Sequence, residues 1–282
     1  MKIEEIHIPP FFVKRWKRWE RRLTLSKRQQ FVVITLFLTL LLVLTQLISI
    51  EYIRYPLVVI LALVTYIASA FGLREDLQGI EWFTLLVPVT LYSAAVALFY
   101  FLLPERWLTR IPVLVCYAVG LYALLLTENI YNVAANRTIA LLRAARSVGF
   151  LITLVSFYLL IMTTLSFRSY PWATSIVFMM LTFLHAFPML WSVELSHYAE
   201  GRVVALTLAL TLVVGELSWI ILFWPMPTSM VALLVSAVFY AVVGMGQEYL
   251  ADKLYKKTIT EFLFVCIFVF FAAFLTTRWR GI

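Results

Sequence analysis

Charged residues are scarce in this chain. Only 13% of its 282 residues are Asp, Glu, Lys or Arg, whereas 63% are hydrophobic. Soluble domains carry about 25% charged residues, so a soluble domain is excluded as the main architecture. Apolar runs near the ~20 residues that cross a bilayer fill most of the sequence. Because hydrocarbon cannot satisfy open backbone groups, the sequence predicts an all-α, polytopic transmembrane helical bundle.

Residue types that carry catalytic or metal chemistry are also rare. The chain has three histidines and two cysteines. It contains no His-x-x-x-His pair, phosphate-binding loop, nucleotide-binding glycine loop or Gly-x-Ser-x-Gly elbow. These absences disfavour enzymes built on such motifs, and we expect no cofactor and no bound metal. Cys116 and Cys266 fall inside apolar runs and should behave as small hydrophobic residues.

Glycine and proline are few, with 9 and 10 copies. Transporter helices are often broken at these residues, with substrate held at the break. Within the apolar runs, Pro88 and Pro188 are the candidates for kinks. The low glycine content and the abundance of bulky side chains favour a rigid bundle over a transporter with broken helices.

Nine apolar runs predict nine spans in one membrane domain, residues 30–282, after an arm at residues 1–29. The second, fourth and ninth runs are near the lower length limit for a span, so eight spans with one re-entrant or interfacial segment is the alternative. The runs are Gln30–Ile50, Tyr55–Gly72, Trp82–Leu103, Ile111–Thr127, Val148–Phe167, Pro171–Trp191, Val203–Phe223, Thr228–Gly246 and Thr260–Thr277.

The basic residues are distributed unevenly between the two sides of the predicted bundle. With the N-terminus inside, 17 of the 23 Lys and Arg residues lie on the inner side. This bias predicts an N-in, C-out, multi-pass protein of the cytoplasmic membrane. The net charge of +8 follows from this topology, so no nucleic-acid partner is expected.

The N-terminal arm has an aromatic side and a basic side. Its aromatic residues recur at helical spacing, and basic residues cover the rest, a pattern typical of a helix lying in the headgroup plane. We expect it to contact anionic inner-leaflet lipid, acting as a topology anchor or docking a membrane protein partner. The candidate contacts are Phe12, Trp16, Trp19, Lys14, Arg15, Arg18 and Arg22.

Three predicted helices end on an acid at the inner side, and each is followed by basic residues. Glu128, Glu194 and Glu248 are these acids. A carboxylate is unfavourable at a helix C-terminus, so we predict that each pairs with a cation of its own hairpin; chance placement is the alternative. The candidate cations are Arg137 or Arg143 for the first, Arg202 for the second, and Lys256 or Lys257 for the third.

The longest inner connection, residues 128–147, contains no glycine or proline and is predicted either to extend the flanking helices or to form an amphipathic segment on the inner face. The polar residues that fall at helical spacing on one side are Asn129, Asn132, Asn136, Arg143 and Arg146. This side is a candidate vestibule for an anionic group; a simply solvated helix face is the alternative.

Ionisable residues inside spans are the default functional candidates. Glu216 is the one acid deep in a run, suited to proton or substrate coupling or to a structural hydrogen bond. Helical rise places His185 at a different depth, so a direct relay between the two is not expected. Glu194-x-x-His197 matches half of a di-metal carboxylate site, but no second copy lies on another span.

These patterns favour a non-catalytic membrane component that binds a partner protein or a lipid. One alternative is a permease for a small or lipid-like substrate that uses Glu216 and the region 132–137. Another is a membrane enzyme working at the inner face through Glu194 and His197.

Overall fold

The computed structural model describes residues 26–47, 51–74, 77–103, 107–135 and 141–277. Every regular element in these ranges is a helix, and nine helical segments are long and apolar enough to span a membrane. The prediction of an all-α bundle with nine spans is therefore confirmed. The arm contacts Phe12 to Arg22, together with Asn136 and Arg137, lie outside the described residues.

Ten helices make up these nine spans, because the third span consists of two helices. In chain order they are α1 Lys27–Leu47, α2 Glu51–Leu73, α3 Glu81–Thr84, α4 Leu86–Tyr100, α5 Trp107–Ala134, α6 Leu142–Ser166, α7 Pro171–Glu194, α8 Gly201–Leu222, α9 Thr228–Leu250 and α10 Lys256–Leu275.

Proline explains the break in the third span. Pro88 has no N–H, so the carbonyl of Thr84 receives no bond from it. α3 accordingly ends at Thr84, and α4 begins at Leu86. Pro188 lies inside α7 without interrupting that helix. Of the two predicted kink positions, only Pro88 coincides with a helix break.

The fourth span is longer than the apolar run that predicted it. α5 continues past Thr127 to Ala134, and α6 begins at Leu142. The flanking helices therefore extend into the inner connection, as its lack of glycine and proline predicts. As a result Glu128 and Asn132 lie on a helix inside the bundle, where both are buried.

Three spans form the centre of the bundle. More than half of the most apolar stretch of α3–α4, of α7 and of α9 is buried, whereas that of α10 is 6% buried. α4 packs against α2, α5, α6 and α7, and α9 packs against α6, α7, α8 and α10. α10 is a peripheral helix that packs chiefly on α9, and the Trp224 indole N–H donates to Thr277 Oγ1 beside its end.

Several loops meet at one end of the bundle, where α2, α5, α7 and α9 end. We call this end the predicted inner face. Asn132 Nδ2 donates to the Leu73 carbonyl over 3.1 Å, which joins α5 to α2. Arg146 at the start of α6 contacts the end of α7. The polar side chains near these helix ends form the candidate site.

Candidate functional site at the predicted inner face

A polar cavity of about 720 Å³ lies between the start of α6 and the end of α9, with Phe262 of α10 in its wall. Three cations, Arg143, Arg146 and Lys253, line it together with the single carboxylate of Glu248. The cavity is therefore net positive. Ser147 and Gln247 add neutral hydrogen-bonding groups.

Arg146 is fixed against the end of α7. Its Nε donates to the Ser192 carbonyl over 3.2 Å and its Nη2 to the Val193 carbonyl over 3.0 Å. The last carbonyls of a helix have no partner within the helix, and a cation there also suits the helix dipole. α7 stops at this point because Leu195 is left-handed, with φ 54°. Arg146 thus both caps α7 and lines the cavity.

The α9 wall is fixed as well. Gln247 Nε2 donates to the Met189 carbonyl of α7 over 2.9 Å. Glu248, the next residue, lies within electrostatic range of Arg146. The cavity therefore has walls held by inter-helix bonds and does not have to be assembled by a ligand.

An apolar groove of about 420 Å³ runs between α6, α9 and α10. Its lining includes Leu154, Val155, Ala237 and Val265. Tyr240 lines both the groove and the polar cavity. The two spaces are therefore neighbours along the same helices, one polar and one apolar.

Glu128 lies on α5, close in sequence to Tyr131. Tyr131 packs against α6, the helix that carries Arg146. The Glu128 side chain is 1% exposed, and its Oε1 has no hydrogen-bond partner. The Tyr131 hydroxyl is also buried, with Ser192 of α7 as a neighbouring polar side chain. Gly149 of α6 makes room for it, since a Cβ there would lie 2.9 Å from that hydroxyl oxygen. An acid buried in this way is costly for folding.

Replacing Glu128 by glutamine is expected to raise the free energy of unfolding by about 1 kcal/mol. The amide keeps the shape of the side chain and removes a group whose charged form is expensive to bury. Denaturation in mixed micelles measures the change. Glu261→Gln, at an exposed carboxylate of α10, is the control and should stay within about 0.5 kcal/mol. A clear loss of stability in Glu128→Gln would show that the carboxylate has a stabilising partner.

His185 is a buried link between α6 and α7. Its Nδ1 lies 2.8 Å from the Leu181 carbonyl, and its Nε2 lies 3.2 Å from Ser156 Oγ. A carbonyl can only accept, so Nδ1 carries the hydrogen and Nε2 accepts from the Ser156 hydroxyl. Both ring nitrogens are used, which gives His185 a structural role. Glu216 takes no part in this arrangement, because it lies on the exposed side of α8.

His197 pairs with an acid that the sequence patterns did not single out. Its Nδ1 lies 2.8 Å from Oε1 of Glu81, which is fully buried. Glu81 Oε2 accepts a bond from the Gln78 N–H over 2.8 Å. Gly79 is left-handed here, and a Cβ on it would lie 2.5 Å from the His197 carbonyl oxygen. We call this contact between the loops before α3 and after α7 the Glu81–His197 junction.

The Glu194-x-x-His197 spacing does not assemble a metal half-site. His197 faces Glu81, while Oε2 of Glu194 is buried without a hydrogen bond. Among the described residues, no group of three or more His, Cys, Asp or Glu side chains could hold a metal ion.

The predicted pairing of acids and cations within hairpins holds in part among the described residues. Arg202 contacts Asp252 at 3.7 Å and also lies within electrostatic range of Glu194, its predicted partner. Lys257 contacts Glu261 at 3.9 Å, and Glu248 lies within electrostatic range of Arg146 of another hairpin. No ion pair joins Glu128 to Arg143 within the described parts of the chain. Inter-helix packing therefore adds partners, such as Asp252 for Arg202, that the order of residues along one hairpin does not predict.

The chain was compared with protein families, curated proteins and solved structures. The family described as "Protein of unknown function (DUF5656)" matches residues 136–276, half of the 282 residues. The chain belongs to this family. No curated protein and no solved structure matches it.

The DUF5656 segment contains α6 to α10. All the residues that line the polar cavity and the apolar groove fall within it. Glu81, Glu128 and Asn132 lie before it. The family match therefore covers the cavity and groove completely and leaves out half of the Glu81–His197 junction.

Proposed function

We propose that this DUF5656 protein is a non-catalytic membrane component that binds a lipid at its polar cavity. The observation that carries the proposal is the position of the cavity beside the groove. A net-positive, hydrogen-bonding space adjoins an apolar one on the same helices, and Tyr240 borders both. This combination suits a molecule with a polar head and an apolar tail.

The chemistry of the lining favours binding over catalysis. General acid–base catalysis most often uses histidine, and the cavity lining includes neither histidine nor cysteine. His185 and His197, the two described histidines, are both engaged elsewhere in the bundle. Arg146 and Gln247 hold helix ends together, which is a structural task.

The proposal places the cavity at the cytoplasmic side of the cell membrane. The basis is the charge bias, with 17 of 23 basic residues on that side when the N-terminus is inside. The basic arm would then face the same leaflet as the cavity. A cysteine added after Arg280 should be labelled only from outside the cell; labelling only from the inside would overturn this orientation.

A permease for a small or lipid-like substrate is the second candidate. The buried Glu128 with its unbonded Oε1 favours it, because intramembrane acids often serve transport. Of the described residues that the sequence assigned to a permease, Glu216 lies on the exposed side of α8 and Asn132 contacts the end of α2. Substrate-dependent uptake into proteoliposomes would favour the permease.

Native mass spectrometry of the full chain tests the lipid proposal. After extraction in mild detergent, we expect one lipid to stay bound per chain through repeated delipidation washes. A stoichiometric protein partner without retained lipid would overturn the proposal in favour of a protein-binding component. Loss of every lipid adduct in the first wash would overturn it as well.

A further inference from the structure

We infer that the bound lipid is a phospholipid with an anionic head, held by its phosphate in the cavity and by one acyl chain in the groove. This inference rests on the proposed function and names the ligand of the same site. The charge balance of the cavity, the length of the groove and a second groove elsewhere in the bundle carry it.

Arg143 and Lys253 supply the charge for a phosphate. Arg146 is engaged with two carbonyls and is balanced by Glu248. Arg143 and Lys253 line the same cavity and are exposed, and within the described residues neither has a carboxylate at ion-pair distance. Two uncompensated cations suit a phosphate, which Arg binds as a fork and Lys as a point charge.

The dimensions match one leaflet of a bilayer. Along α6, the groove residues Leu154 and Tyr158 lie about 12 and 18 Å from Arg146, at 1.5 Å per residue. Half of the hydrocarbon core is about 15 Å thick. A phosphate among the cations at the start of α6 would thus leave an acyl chain running beside the groove to the middle of the membrane.

The side of the groove is open to lipid. Val155 and Leu233 at its rim are 44% and 39% exposed. α10, which forms one wall, packs chiefly on α9 and is itself barely buried. An acyl chain can therefore enter sideways from the bilayer without crossing the core.

A second groove provides an internal comparison. It lies between α2 and α4, has a volume of about 410 Å³ and includes Val59 at its rim. The polar space near its end, beside Arg54 and Arg110, measures only about 50 Å³. Those arginines lie over the rings of Phe101 and Tyr100. That space is less than a tenth of the cavity of about 720 Å³, so it is too small for a headgroup.

The headgroup half is tested by lipid titration of the full chain with native mass spectrometry. Phosphatidylglycerol should bind more tightly than phosphatidylcholine. Arg143→Gln with Lys253→Gln should weaken phosphatidylglycerol binding about 30-fold, since each basic residue near anionic lipid contributes about 1 kcal/mol. Lys256→Gln with Lys257→Gln removes the same charge outside the cavity and should change binding less than about threefold.

The position of the acyl chain is tested by filling the groove. Val155→Trp should weaken phosphatidylglycerol binding at least about tenfold, because the indole would occupy the space of the acyl chain. Val59→Trp makes the same change at the rim of the second groove and should leave binding unchanged. Both positions are exposed, so neither substitution overpacks the core, and thermal stability checks folding of each variant.

The outcomes separate the inference from the function on which it rests. Retention of lipid without regard to headgroup, or equal effects of the cavity and control pairs, overturns the anionic head while a lipid-binding function stands. Tight lipid binding in Val155→Trp overturns the placement of the acyl chain in the groove. If glycerol phosphate binds as tightly as phosphatidylglycerol, the ligand is a soluble phosphate. That result would overturn both the phospholipid inference and the lipid-binding function.

Discussion

Replacing His197 by alanine is expected to lower the free energy of unfolding by about 3 kcal/mol. His197 contacts Glu81, whose carboxylate is fully buried. Removing one partner of a buried pair leaves the other charge without compensation, which costs about 3–5 kcal/mol. His197 is itself partly exposed, so water screens the loss and the lower end applies. Denaturation of the purified chain in mixed micelles measures the change.

A double-mutant cycle isolates the contribution of the pair. Glu81→Gln with His197→Ala should be more stable than the sum of the two single changes predicts, because the neutral amide no longer needs the imidazole. The Gln78 N–H can still donate to the side-chain oxygen of the glutamine, as it does to Glu81. Tyr198→Ala, at the exposed neighbouring position, is the control and should change stability by about 0.5 kcal/mol or less. Additive single effects would contradict a coupled pair.

The spans of this protein could be predicted because their signal is local. Runs of apolar residues decide which segments enter a membrane, and the length of each run sets its span. The same local pattern extended α5 and α6 into the inner connection, where glycine and proline are absent. The break at Thr84 also follows from one residue, Pro88.

The partners at the candidate site could not be predicted in this way. Glu81 and His197 are distant in sequence and meet because α3 packs against α7. Helical spacing placed Arg146 on the polar side of its helix, but it did not predict that Arg146 caps α7. The sequence pattern predicts ion pairs between Glu248 and the cations that follow it. Instead, α9 packs against α6, which brings Glu248 within electrostatic range of Arg146. Each outcome depends on which helices are neighbours, and the apolar runs do not determine which helices pack together.

The predicted site residues that line the cavity share a different signal. Arg143 and Glu248 lie near the ends of spans at the predicted inner face, and both line the cavity. Polar residues at helix ends are compatible with burial in a headgroup region, so position along a span is informative. His185 and Glu216, chosen for depth alone, instead have a structural bond and an exposed position.

Replacing Arg146 by alanine is expected to lower the free energy of unfolding by about 3 kcal/mol. Its guanidinium donates to the Ser192 and Val193 carbonyls at the end of α7. Hydrogen bonds from charged groups contribute about 1.5–3 kcal/mol each, and the alanine variant also removes a cation within electrostatic range of Glu248. Unfolding in mixed micelles, with far-ultraviolet circular dichroism as the readout, measures this effect.

The comparison with Arg143 separates structure from ligand binding within one cavity. Arg146→Lys should recover less than half of the loss, because an ammonium cannot donate to two carbonyls through a planar fork. Arg143→Ala should change stability by about 0.5 kcal/mol or less, since its exposed side chain holds no helix end, and it should weaken phosphatidylglycerol binding. If Arg143→Ala destabilises the fold as much as Arg146→Ala, the division between a helix-capping arginine and a ligand-binding arginine is wrong. If instead only lipid binding falls, the two neighbouring cations of α6 have distinct tasks.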